Sequence, residues 1–95
     1  MANDTTSNPW ILDQEAVATT ERIRILKMVY YAAVAGEDLA VAHANGSSIW
    51  KVRAAAAATN YEDYAGVVFE FPEPFIADGL DLVTLDGGEL WVWLK

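Results

Sequence analysis

A chain of 95 residues with 14 acids, 6 bases and no cysteine carries a formal charge of −8. That length suits one small domain, and the missing thiol excludes disulfide staples and thiolate chemistry. The charge excludes the basic footprint of a nucleic-acid binder. The acids are concentrated at one end: residues 1–58 hold six acids and five bases, whereas residues 59–95 hold eight acids against Lys95 alone. Hydrophobic residues make up 54% of the chain, including Trp10, Trp50, Trp91 and Trp93. A dense core, with apolar surface to spare for a partner, is the expectation.

In chain order, Met1 to Asn8 is polar, with no basic segment followed by an apolar core, so no secretory signal is expected. Residues 1–13 read as an extended N-terminal arm and residues 14–95 as a single β domain. Trp10, directly after Pro9, would anchor that arm across a neighbouring subunit, with Ile11 beside it. Val17 to Glu21 reads equally well as a short turn or a strand start. In Glu21-Arg22-Ile23-Arg24-Ile25 polar and apolar residues alternate, and after Leu26 the alternation restarts with Lys27 outward and Met28 inward. A β-bulge at Leu26 would produce that slip. The longest apolar run, Met28 to Ala35, falls short of the roughly 20 residues a spanning helix needs, so no membrane span is expected and the chain should be soluble.

Leu39 to Ala44, Asn45-Gly46-Ser47-Ser48 and Ile49 to Arg53 read as a β-hairpin, because Asn-Gly accepts the positive φ of tight turns. Ala54 to Ala58 has helical propensity but no cap, and reads as a strand end and connector whose small side chains let another element approach. Gly66 to Phe71 is a predicted strand, stopped by Pro72-Glu73-Pro74. A short segment from Phe75 turns at Asp78-Gly79. Leu80 to Leu85, Asp86-Gly87-Gly88 and Glu89 to Lys95 form a second predicted hairpin. Turn signals at this spacing point to an all-β fold, an antiparallel, jelly-roll-like β-sandwich of about seven or eight short strands.

Residue types that could carry chemistry are sparse. His43 is the only histidine and has neither an oriented partner nor a nucleophile motif near it in sequence. Asp78, Asp81, Asp86 and Glu89 flank the last turns and invite comparison with a calcium loop, but their spacing matches no such loop and is ordinary turn chemistry. No phosphate-cradling glycine motif occurs. The reading is a protein that is not an enzyme, with no cofactor and no metal, which works through its surfaces.

The aromatic residues carry that reading. In Glu89-Leu90-Trp91-Val92-Trp93-Leu94-Lys95 strict alternation puts Leu90, Val92 and Leu94 on one face and Trp91 and Trp93 on the other. With the leucines and valine in the core, the tryptophans face outward, where Tyr30, Tyr31, Tyr61 and Tyr64 could extend the patch. The predicted partner-binding residues are Trp10, Ile11, Tyr30, Tyr31, Trp91 and Trp93.

Asn8-Pro9-Trp10-Ile11-Leu12-Asp13, Ile23-Arg24-Ile25 with its aromatic continuation, Ala35-Gly36, Asn45-Gly46 before Ile49-Trp50, Phe75 to Leu80 and the closing Gly88 to Leu94 together resemble small structural proteins of tailed bacteriophages, either capsid decoration (cement) proteins or β-rich fibre components. The likeness spans most of the chain and consists of strand and turn patterns. It implies a place on the virion capsid surface and the major capsid protein as partner, with a homo-oligomer, a trimer above all, as the attached form. A tail-fibre or head-to-tail adaptor subunit is the neighbouring reading. From a different class, a carbohydrate-binding module would use Trp91, Trp93 and Asp81.

Overall fold

A computed structural model describes residues 3–95. Its elements are β1 (Trp10–Leu12), β2 (Val17–Tyr31), β3 (Asp38–Ala42), β4 (Ser48–Arg53), a 3-10 turn (Asp63–Ala65), β5 (Val67–Leu85) and β6 (Glu89–Leu94). The strands form one antiparallel sheet in the order β1-β6-β2-β5-β3-β4. The fold is therefore all-β. Strands number six rather than seven or eight, and one continuous sheet takes the place of two stacked ones. No helix among the described residues is long and apolar enough to cross a membrane.

Two long strands account for the difference. β5 continues through both segments that read as breaks. Between Glu70, opposite Lys27, and Phe75, opposite Ile25, the chain bulges out of the ladder, so Pro72 and Pro74 sit where no N–H is required. At Asp78-Gly79 the register with β2 slips again, and Gly79 adopts φ +83°. A Cβ there would stand 2.5 Å from that of Ala44. Asp78-Gly79 is thus a bulge within a strand and not a turn.

β2 carries the bulge expected from its sequence: its register shifts between Ile25 and Lys27 against both β5 and β6. Downstream, Met28 and Tyr30 lie opposite Val92 and Leu90 on one face, while Lys27, Val29 and Tyr31 lie opposite Trp93, Trp91 and Glu89 on the other.

The main core holds Leu12, Ile25, Met28, Tyr30, Leu39, Val41, Leu80, Leu82, Leu90 and Val92, all at most 1% exposed. With one short 3-10 turn as the sole helical element among the described residues, strands supply nearly all of this core, and Ala32 and Ala54 of the connecting segments add to it. β2 and β5, of 15 and 19 residues, are too long to run straight through a molecule 32 Å in its longest extent, so the sheet bends along them. Trp50 of β4 meets Phe69 near the start of β5, at 5.2 Å between rings, and Phe71 and Phe75 continue that row.

β3 and β4 form the expected hairpin, with Gly46 at φ +94° in its turn. The second expected hairpin is corrected. β6 pairs with β1 and β2, not with β5, so Asp86-Gly87-Gly88 carries the chain past β2 to the far side of the sheet. That loop is pinned by the Tyr30 hydroxyl, which donates to the Gly87 carbonyl at 2.9 Å, and by Asp86, whose Oδ2 accepts the Asp38 N–H at 2.9 Å. Ala54 to Ala58 is irregular, with Ala54 buried against the core.

Candidate functional site

The outer face of β2 and β6 carries a second, smaller apolar cluster, held apart from the core by the sheet. Strict alternation places Trp91 and Trp93 there, with Leu90 and Val92 fully buried beneath. The Tyr61 ring stacks on Trp91 at 5.2 Å and 13°. Tyr31 meets both rings edge-on, at 5.2 Å from Tyr61 and 5.3 Å from Trp91, and Trp93 stands 6.0 Å from Trp91 at 44°. The Lys27 ammonium lies 4.4 Å above the Trp93 ring and pairs with Asp63 at 2.7 Å.

A loop, residues 58–66, builds the outer wall of this cluster. The Tyr31 hydroxyl donates to the Tyr61 carbonyl at 3.1 Å, Lys27 holds Asp63, and Gly66 lies so close to Val29 that a Cβ would come within 2.5 Å of it. Burial, with Asp63 and Glu62 nearby, raises the Tyr31 phenol above its usual range and keeps it a neutral donor. A hollow of about 190 Å³ opens beside the cluster, lined by Tyr31, Ala32, Ala58, Tyr61 and Gly88 among others. The partial cover on Trp91 and Trp93 is thus this loop and Lys27.

The predicted contact residues divide between the two faces. Ile11 sits opposite Trp91, and Trp91 and Trp93 are half-buried on the outer side, with Tyr31 edge-on to Trp91. Trp10 lies opposite Val92 and packs against the main core, within edge strand β1. Tyr30 lies opposite Leu90 in the interior and is 0% exposed, so it acts in the core and not at a surface. The segment before β1 folds back: Asp4 and Ile11 exchange backbone hydrogen bonds at 2.8 and 2.9 Å, and Asn8 bonds both the N–H and the carbonyl of Leu94.

His43 and three of the four carboxylates around the last turns make local contacts. His43 Nδ1 accepts the Asp78 N–H at 3.0 Å while its ring packs on Phe75, a backbone-satisfying role. Asp78 pairs with Arg22, Asp86 accepts from Asp38, and Glu89 accepts from the Trp91 indole at 3.0 Å. Among the described residues no three His, Cys, Asp or Glu side chains converge.

Comparison with protein-family models, curated proteins and solved structures finds no match to this chain.

The loop cover yields a direct expectation. Tyr61→Ala removes a stacked ring from Trp91 and should cost about 1 kcal/mol of stability while leaving the sheet intact. Urea unfolding would show the loss, and tryptophan emission of the folded variant should shift to the red as Trp91 gains water. Unchanged emission would mean that the loop does not shield the indole.

Proposed function

We propose that this chain is a virion structural protein that decorates the outer capsid lattice, binding the major capsid protein through the outer face of β1, β6 and the 58–66 loop, with an oligomer, a trimer above all, as the attached form. The observation that carries the reading is the composition of this face. Trp91, Trp93, Ile11 and Tyr61 form one aromatic and aliphatic surface, with Tyr61 56% exposed and acids at its rim. Large, rigid aromatic side chains bracketed by polar groups are what protein interfaces concentrate at their centres. The resemblance to decoration proteins supplies the kind of partner.

Two features favour a protein surface over a sugar. The Trp91 and Trp93 planes are 44° apart, not the flat row that stacks on successive sugar rings, and Tyr61 and Lys27 each cover one of the indoles. A decoration protein also gains avidity from repeated lattice sites, so a modest interface on each copy suffices.

The test adds the purified protein and its Trp93→Ala variant to particles stripped of it. The variant should attach with a loss of roughly tenfold or more, as expected for an interface anchor, while keeping its far-UV spectrum. Equal occupancy would remove this face from the interface. A fluorescence shift on adding soluble glycans would favour the carbohydrate-binding alternative.

A further inference from the structure

We infer that the exposed edge of β4 is a docking site for an extended acidic segment of a partner protein, taken up as a seventh, antiparallel strand. This goes beyond the decoration reading, and it concerns the sheet edge opposite the aromatic face.

The sheet ends on β1 at one side and β4 at the other. The β1 edge is closed, because Asp4 bridges Ile11 with two backbone hydrogen bonds. β4 pairs with β3 alone. Its free groups can be assigned from the ladder. Ala54 donates to the Glu37 carbonyl and accepts from Gly36, so it spends its backbone on the β3 side. Asp38, opposite Arg53, turns its own N–H and C=O the other way, toward Asp86. Antiparallel alternation then turns Val52 and Trp50 toward β3 and leaves the N–H and C=O of Lys51 and Arg53 pointing out of the sheet.

The residues that carry these unpaired groups are also basic. Arg53 is exposed and pairs with Asp38 across the ladder at 2.7 Å. Lys51 is exposed and has no ion pair among the described residues. A docked strand would set its side chains about 5 Å from those of Lys51 and Arg53, and acids at alternate positions would meet both. A second copy is a poor occupant. Two-fold pairing of β4 with itself sets Lys51 and Arg53 of one copy against the same residues of the other, and like charges directly opposite oppose pairing. The inner side of β4 is already committed, with Trp50 and Val52 packed on the core, so recognition rests on backbone and charge.

The probe is a short capped peptide that alternates glutamate with valine and threonine, titrated into the full chain and followed by amide NMR. The Lys51 and Arg53 amides should shift saturably, and the same peptide with lysine for glutamate should not shift them. Lys51→Glu should weaken the peptide roughly tenfold, since it turns a cross-strand attraction into a repulsion. Lys51→Pro should abolish docking by removing an outward N–H, while slow amide exchange at Leu39 and Val41 shows the β3–β4 ladder intact. No shift at these amides, equal binding of the lysine peptide, or concentration-dependent self-association through β4 would each overturn the inference.

Discussion

Gly88→Ala should destabilise the fold by about 3 kcal/mol or more, enough to lower Tm by roughly 12 °C or more in a domain of this size. Gly88 stands at φ +78°, where an L side chain is strained. Strain is the smaller part. A Cβ there would drive into the Tyr31 carbonyl oxygen and stand 2.9 Å from the Ala32 Cα. Both obstacles are backbone, at the last residue of β2 and the one after it, so they cannot swing aside, and relief would break the Tyr31–Glu89 end of the ladder. Gly46→Ala is the control. Its φ is also positive, at +94°, but nothing lies within 4 Å of the added carbon. Thermal unfolding should show a loss of only about 1 kcal/mol at Gly46. Equal losses at both positions would mean that backbone strain alone is at work and that the crossing of β2 by the 86–88 loop is looser than described.

Tyr30 sets the second large effect, an alkaline limit to stability. Burial first, then the nearby Glu37, Asp86 and Asp38 carboxylates, push its phenol from 10.0 to about 12. The neutral phenol is the form that the fold favours. Its contribution is therefore complete below pH 10, where the unfolded chain is neutral as well. As pH rises the unfolded phenol ionises while the folded one does not, and stability falls until the folded group titrates too. About 2 to 3 kcal/mol should be lost across that window. Urea midpoints of the wild type and Tyr30→Phe, followed from pH 8 to 12, separate this group from the other tyrosines. The variant should be weaker by about 1 kcal/mol at pH 8, because the Gly87 carbonyl loses its donor, and should lose less as pH rises. Parallel curves would show that Tyr30 is not the titrating group.

Local rules made much of this fold legible in the sequence, and pairing between distant strands did not. Period-two alternation separated Leu90 and Val92 from Trp91 and Trp93, and the slip at Leu26 located a bulge, because both depend only on neighbours along the chain. The Asn45-Gly46 hairpin was readable for the same reason. Asp86-Gly87-Gly88 was not. Its glycines fix where the chain reverses, but which strand lies beside β6 depends on β2, some sixty residues earlier. Pro72, Pro74 and Asp78-Gly79 read as stops, since proline and glycine weaken a ladder; a long strand absorbs them as bulges where its partner asks for no hydrogen bond. In the candidate site, Tyr30 and Tyr31 are adjacent on one strand and so must face opposite sides. That rule was available in the sequence, and it assigns Tyr31 to the outer cluster and Tyr30 to the core. The loop that brings Tyr61 onto Trp91 and Asp63 onto Lys27 has no periodicity, and its position came only with the structure.

The central claim, attachment to a capsid lattice, is tested most directly by counting copies of this chain per major capsid subunit in purified particles of its source, by quantitative mass spectrometry. Decoration predicts a fixed ratio with hundreds of copies per particle. A handful of copies would move the protein to a fibre or adaptor, and its absence from particles would contradict the virion reading altogether.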